Sequence, residues 1–282
     1  MIWLYYTLLT SLFWGIGQVF IKKGLTHISP LFNNILSTVV CLLVFLPFAF
    51  INGINLNLIN PLIVIFILLI AFCYQIYYYA LSKGEVSLTG TVMAAYPLVT
   101  VVFSRIFLVE KTSLFQKIAI FVVLLGTIVI SLPNKKNNIK INSQTWFWWA
   151  LASVFVVGFG DFLAKVTIND IGPYNYLFLL PIFYLPVNLV LFLIDKKGRQ
   201  FPQLNLQKFL PTIFGVLILQ IGIIFFNLGF AHGSASLVAP LSSSYIVITV
   251  VLALIFLKEK VTKVQLSGII LTIIGIILFG VS

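Results

Sequence analysis

Residues 80–129 return, altered but recognisable, at 229–278, a shift of 149 positions. Sixteen of the fifty aligned positions are identical, among them Gly84/Gly233, Ser87/Ser236, Tyr96/Tyr245, Glu110/Glu259 and Gly126/Gly275. A second echo, at an offset of 143, sets WGIGQVFIK (14–22) against VGFGDFLAK (157–165). A chain that repeats itself over such lengths folds as two like halves. The composition then decides what the halves are made of. Charged residues are 8% of the chain, against roughly 25% in soluble domains, and 61% is hydrophobic. So few charges cannot cover a water-soluble fold of 282 residues, so the solvent is largely lipid. Backbone groups in hydrocarbon need internal partners, which leaves helices or closed barrels. The apolar runs are 18–24 residues long, which suits a spanning helix and is twice the ~10 of a barrel strand.

Ten such segments stand out, at about 3–21, 31–51, 61–82, 86–108, 113–132, 146–166, 174–194, 209–231, 234–257 and 264–281. Pro30, Pro61, Pro173 and Pro211 fall at or near first turns, where a missing amide donor is no loss. Lys83-Gly84-Glu85 and His232-Gly233 are links short enough to force antiparallel neighbours, with Ser87 and Ser236 available as caps. Ser113-x-x-Gln116 and Thr262-x-x-Gln265 are capping-box patterns. Glu110 and Glu259 precede those same starts, where the helix dipole favours negative charge; that structural role is the preferred reading, with coupling carboxylates as the alternative. Five helices per half is an odd number, so the halves face opposite ways. The fold class is therefore an all-α polytopic membrane protein of ten transmembrane helices in a 5+5 inverted repeat. Its halves are 1–133 and 146–282, joined by a basic loop at 134–145. Inverted pairs of this kind enclose a midplane site and expose it alternately to each side. Gly215, Gly222 and Gly229, seven apart, give one smooth face for close helix contact. The first segment lacks a basic start and takes part in the repeat, so it is expected to be retained.

These features resemble the EamA-type branch of the drug/metabolite transporter superfamily. The resemblance is carried by Trp14-Gly15 with Lys22, ALSKGEVSLTGTVMAAYP (80–97) leading into LVEK (108–111), and GTIVIS (126–131). The second half adds GFAHGSASLVAP (229–240), LKEK (257–260) and GIILTIIGIIL (268–278). It covers essentially the whole chain and is specific for fold, weak for substrate. It implies a ten-helix carrier that exports or exchanges amino acids, amines, drugs or other small metabolites. The family usually carries positive charge after its second helix and keeps both ends in the cytoplasm, whereas NGINLNLIN (52–60) has no charge. Thirteen of the seventeen Lys and Arg residues lie in the loops on the other side: Lys22, Lys23, Lys83, Lys135, Lys136, Lys140, Lys196, Lys197, Arg199, Lys208, Lys258, Lys260 and Lys263. The positive-inside rule places that face in the cytoplasm and both termini outside a cell membrane.

Six acidic residues exist, and Asp161 alone lies well inside an apolar segment. An intramembrane carboxylate is costly unless paired or wet, so it is a candidate for binding a cation or exchanging a proton. Lys165, four residues on, is the expected ion-pair partner. The repeat sets Gln18 opposite Asp161 and Lys22 opposite Lys165. CYQIYYYAL (73–81) puts Tyr74, Tyr77 and Tyr78 on one helix face and Gln75 with Tyr79 on another. This is either an interfacial aromatic belt or a lining that attracts an ammonium. Trp14, Tyr96, Asn227, Ser242, Ser243, Ser244 and Tyr245 would complete a hydrogen-bonding cavity. Pro97 is read as interrupting segment four and freeing the Met93 carbonyl. Arg105 is read as snorkelling to headgroups and His232 as interfacial.

The net charge of +11 sits in loops beside anionic lipid, so no nucleic-acid partner is implied. Cys41 and Cys73 lie in apolar segments without metal-ligand spacing. Two histidines in loops and scattered carboxylates give no catalytic or metal constellation, and no phosphate-binding loop of the ATPase type is present. No cofactor and no ATPase subunit are expected. The partners are a small-molecule substrate and the lipid bilayer, with the protein a monomer or homodimer.

Overall fold

A computed structural model describes residues 1–24, 29–81, 92–93, 95–132, 145–199, 206–256 and 262–281. Its helices are α1 (Ile2–Gly24), α2 (Pro30–Asn52), α3 (Pro61–Leu81), α4 (Tyr96–Phe107) and α5 (Leu114–Ser131) in the first half. The second half holds α6 (Thr145–Ile194), α7 (Leu206–His232), α8 (Ala235–Ser242), α9 (Tyr245–Phe256) and α10 (Lys263–Val281). A 3₁₀ turn (Leu56–Leu58) crosses the uncharged loop after α2. No strand occurs among the described residues.

Local chemistry explains most of these boundaries. The Ser29 side chain accepts the Phe32 amide and Pro30 opens α2 at a position needing no donor. Both expected capping boxes form. Ser113 Oγ accepts from Gln116 N while Gln116 Oε1 accepts from Ser113 N, and Thr262 and Gln265 repeat the exchange before α10.

Two boundaries differ from the sequence reading. Segments six and seven are not separated by a seven-residue loop. One arm of α6 runs to Ile171, Gly172 turns the chain at φ 78, and the second arm starts at once. Only glycine takes that left-handed turn readily, and Pro173 needs no amide partner as the next helix begins. The ninth segment is likewise two pieces, α8 and α9, with Ser243–Ser244 between them. Segment four is interrupted next to Pro97, as the missing amide leads one to expect. Val92 and Met93 are helical, Ala95 is a turn, and α4 starts afresh at Tyr96 with Pro97 in its first turn. Counting each arm of α6 separately and α8 with α9 as one crossing gives the ten spans. Ser87 and Glu259 lie outside the described residues.

The two halves interlock rather than stand side by side. The first helix of each half packs along the third and fourth of the other: α1 on α7 and α9, and the first arm of α6 on α3 and α4. The contacts match position by position. A Cβ on Gly15 would come within 3.0 Å of Tyr245 O and closer to Ile248, and a Cβ on Gly158 would collide with Tyr96 O and Val99. Gly158, Tyr245 and Ile248 are the repeat equivalents of Gly15, Tyr96 and Val99, at offsets of 143 and 149. Thr249 Oγ1 donates to Gly15 O at 3.3 Å, and its equivalent Thr100 donates to Gly158 O at 3.1 Å. On the far flank α5 meets α10, with Gly126 against Thr272 and Gly275 against the equivalent Val123. This is the signature of a two-fold axis lying in the membrane plane.

The side chains that face lipid are as apolar as those inside. Leu43, Ile65, Phe121, Leu189 and Ile277 are all more than half exposed. That is the pattern of a protein whose solvent is hydrocarbon.

Candidate functional site

The pseudo-two-fold axis runs through a central cavity of about 190 Å³, walled by both halves. Its lining comes in repeat-related pairs: Trp14 with Val157, Gln18 with Asp161, Tyr74 with Ile223, Tyr77 with Phe226, Tyr78 with Asn227, and Tyr96 with Tyr245. Equal backbone positions thus carry unequal side chains. The first half presents tyrosines where the second presents Ile223, Phe226 and Asn227. In turn, the second half supplies the carboxylate where the first has Gln18.

Of the nine positions expected to bind substrate, Trp14, Gln18, Tyr74, Tyr78, Tyr96, Asp161, Asn227 and Tyr245 all line this cavity. Ser243 does not. It sits in the break between α8 and α9, where its hydroxyl donates to Pro240 O at 2.6 Å, a bond that satisfies a loose helix end. The ring of Trp14 lies 5.1 Å from Phe226 and meets Tyr245 edge-on at 5.8 Å, so the two halves touch through aromatic faces.

The expected Asp161–Lys165 ion pair is not made. Tyr74 donates its hydroxyl to Asp161 Oδ1 at 2.7 Å, and Asp161 Oδ2 has no partner among the described residues although the residue is only 3% exposed. Lys165 turns the other way. It lies more than a turn inside the first arm of α6, not near its end, and is buried. Its ammonium donates to Phe230 O and, at 2.9 Å, to Gly233 O. Those carbonyls belong to the last turn of α7 and the elbow beyond it. Unsatisfied carbonyls at a helix C-terminus give the ammonium both acceptors and a favourable dipole.

The same elbow explains Glu110. Its two carboxylate oxygens accept from Ala235 N at 2.8 Å and Ser236 N at 2.9 Å, so it caps α8 of the opposite half, not the helix that follows it in sequence. Ser236 is inside α8, and its hydroxyl has no partner among the described residues. A knot of one carboxylate, one ammonium and two helix ends therefore ties α4, α6, α7 and α8 together.

The lining residues that carried no weight in the sequence reading include four polar ones from three helices. Tyr176 and Tyr184 come from the second arm of α6, Thr38 from α2 and Gln220 from α7. Tyr176, Leu180 and Tyr184 at spacings of four form one helix face, a signal that was there to be read. Thr38 is the junction of a buried polar set. Gln75 Nε2 donates to it at 3.3 Å and Asn188 Nδ2 at 2.7 Å, while Asn34 Nδ2 donates to Gln75 O at 2.9 Å. Tyr79 faces away from the cavity and donates to Asp195 Oδ2 at 3.0 Å. Arg105 is exposed in the last turn of α4, and His232 is exposed and stacked on Tyr6 at 5.7 Å.

Ten apolar spans in an inverted repeat, with broken helices meeting at a polar cavity on the symmetry axis, define the class as polytopic membrane proteins of the transporter type. The chain belongs to the EamA-like transporter family, whose pattern it matches over residues 1–132 and again over 144–281. Among curated proteins, Uncharacterized protein MJ1333.1 of Methanocaldococcus jannaschii is 30% identical over 131 residues. That stretch is 45% of this chain and 94% of the relative, which is therefore about one half long. A protein of known crystal structure superposes over 99% of this chain and 96% of its own with a TM-score of 0.81. At 14% identity that likeness speaks for the fold alone.

Proposed function

We propose that the protein is a secondary transporter that moves a small metabolite across a cell membrane by alternating access, coupled to a proton or to a counter-substrate. The observation that carries this reading is the cavity on the pseudo-two-fold axis. It is built from both halves, and the chain is broken beside Tyr96 in one half and beside its equivalent Tyr245 in the other. Discontinuous helices at equivalent places in the halves are how many carriers build a binding site. Asp161, the one carboxylate in the wall, is the group suited to bind charge or hand on a proton. A carrier of phosphorylated metabolites would want Lys or Arg in the wall, and the described lining holds neither.

Orientation belongs to the same proposal. Trp3 and Phe279 touch edge-on at 6.4 Å, so the two chain ends share one side. The charge bias then puts both ends outside.

The test is counterflow. Purified protein in liposomes preloaded with unlabelled compound should accumulate labelled compound for at least one class among amino acids, amines, nucleosides and sugars. Folded protein that gives no counterflow with any class would sink the reading.

A further inference from the structure

The cavity wall has a charge and a shape that select among those classes. Its one formal charge is Asp161; no Lys, Arg or His lines it among the described residues. One turn away, the Lys165 ammonium is held between two carbonyls at the α7–α8 elbow, next to the Glu110 carboxylate, and so does not neutralise Asp161. Tyr74 fixes one carboxylate oxygen and leaves Oδ2 a buried acceptor with no donor among the described residues. The cavity that Asp161 lines is also lined by the rings of Trp14, Tyr77, Tyr78, Tyr96 and Phe226. Aromatic faces attract cations through their quadrupole, and the attraction grows where water is excluded. A carboxylate in such a ring of aromatics repels anions and gives the carboxylate of a zwitterion no basic partner.

We propose that this cavity binds a monovalent organic cation, a protonated or quaternary amine on a small apolar body, with Asp161 Oδ2 as its counter-ion and the aromatic ring as its cage. The proposal rests on reading the cavity as the transport site and names the substrate class of that site. The volume of about 190 Å³ falls below the ~300–1,000 Å³ of sites for drug-sized ligands, so the cation is of metabolite size. Tyr74 is a positioning residue here, since it acts by holding Oδ1 and so aiming Oδ2.

Calorimetry and thermal shift on the full chain in lipid nanodiscs test this with matched pairs of probes. Choline is compared with its uncharged carbon isostere, and benzylamine with benzyl alcohol; acetate and inorganic phosphate serve as anions. The cations should bind roughly tenfold or more tightly than their neutral partners. Asp161→Asn should level each pair, Asp161→Glu should keep a preference for the cation, and Tyr74→Phe should weaken cations more than neutrals. Equal binding within the pairs, a preference for either anion, or no binding of either cation to the unaltered protein would overturn the proposal. The unaltered protein alone decides this, so a variant that fails to fold does not blunt the test. Failure here is also distinct from failure of the transport reading. Counterflow of a neutral or anionic compound removes the substrate class and keeps the carrier, whereas cation binding without any counterflow keeps the site and removes the carrier.

Discussion

Asp161 has two carboxylate oxygens in different circumstances, one held by Tyr74 and the other buried with no partner among the described residues. A single sequence can flag such a residue, because a lone acid inside an apolar run has few bland explanations. It could not supply the partner. Lys165 is the nearest choice along a helix, but Tyr74 lies 87 positions away and reaches Asp161 only once α3 packs on α6. The same holds for Thr38, an inconspicuous threonine until Gln75 and Asn188 converge on its hydroxyl. Thr38→Val keeps the shape and strands two amide donors in a region without water. It is expected to destabilise the fold by about 1 kcal/mol, in line with hydrogen bonds between membrane helices. A thermal midpoint in nanodiscs equal to that of the unaltered protein would show that neither amide depends on it.

The most informative elements are the broken ones, α8–α9 and the start of α4, and the elbow between α7 and α8. Pro97 makes the break in segment four legible in sequence, whereas three serines inside an apolar run look much like part of a whole helix, and that is why the break between α8 and α9 was not. Glu110 is the sharper case. Its place before a helix start suggested a cap for its own neighbour, yet the chain turns back at Val109, with φ 52, and delivers the carboxylate to α8. A β-branched residue in that left-handed conformation costs on the order of 1–3 kcal/mol, so the contacts beyond it must hold it there. Glu110→Gln retains size but loses the charge that meets two amides and the helix dipole. The expected loss is about 1–2 kcal/mol, read as a drop of roughly 2–6 °C in the thermal midpoint. An unchanged midpoint would mean that the cap is ornamental.

At the scale of the molecule, the duplication foretold the pseudo-two-fold. Gln18 and Asp161, paired by an offset of 143, do stand on the same cavity. What repeats could not reveal is how the halves interlock, since which helix of one packs on which helix of the other is a matter of close-approach surfaces. The proposed sidedness rests on sequence alone, through the thirteen lysines and arginines that the ten-segment reading assigns to the loops of one side. A reporter enzyme active only in the cytoplasm, fused after Ser282, should therefore stay silent, and one active only outside should work. The reverse pattern would place the basic loops outside and refute the assignment.

The crossings at Gly15 and Gly158 carry a mechanical consequence. The glycines lie against the backbone oxygens of Tyr245 and Tyr96 and the side chains of Ile248 and Val99, clasped by Thr249 and Thr100, so neither seam has room to slide. If the two halves tilt against each other, these paired crossings are the fulcrums. The lever arms are then the helix ends beyond them, and a bulkier residue at either glycine should jam the hinge rather than loosen it.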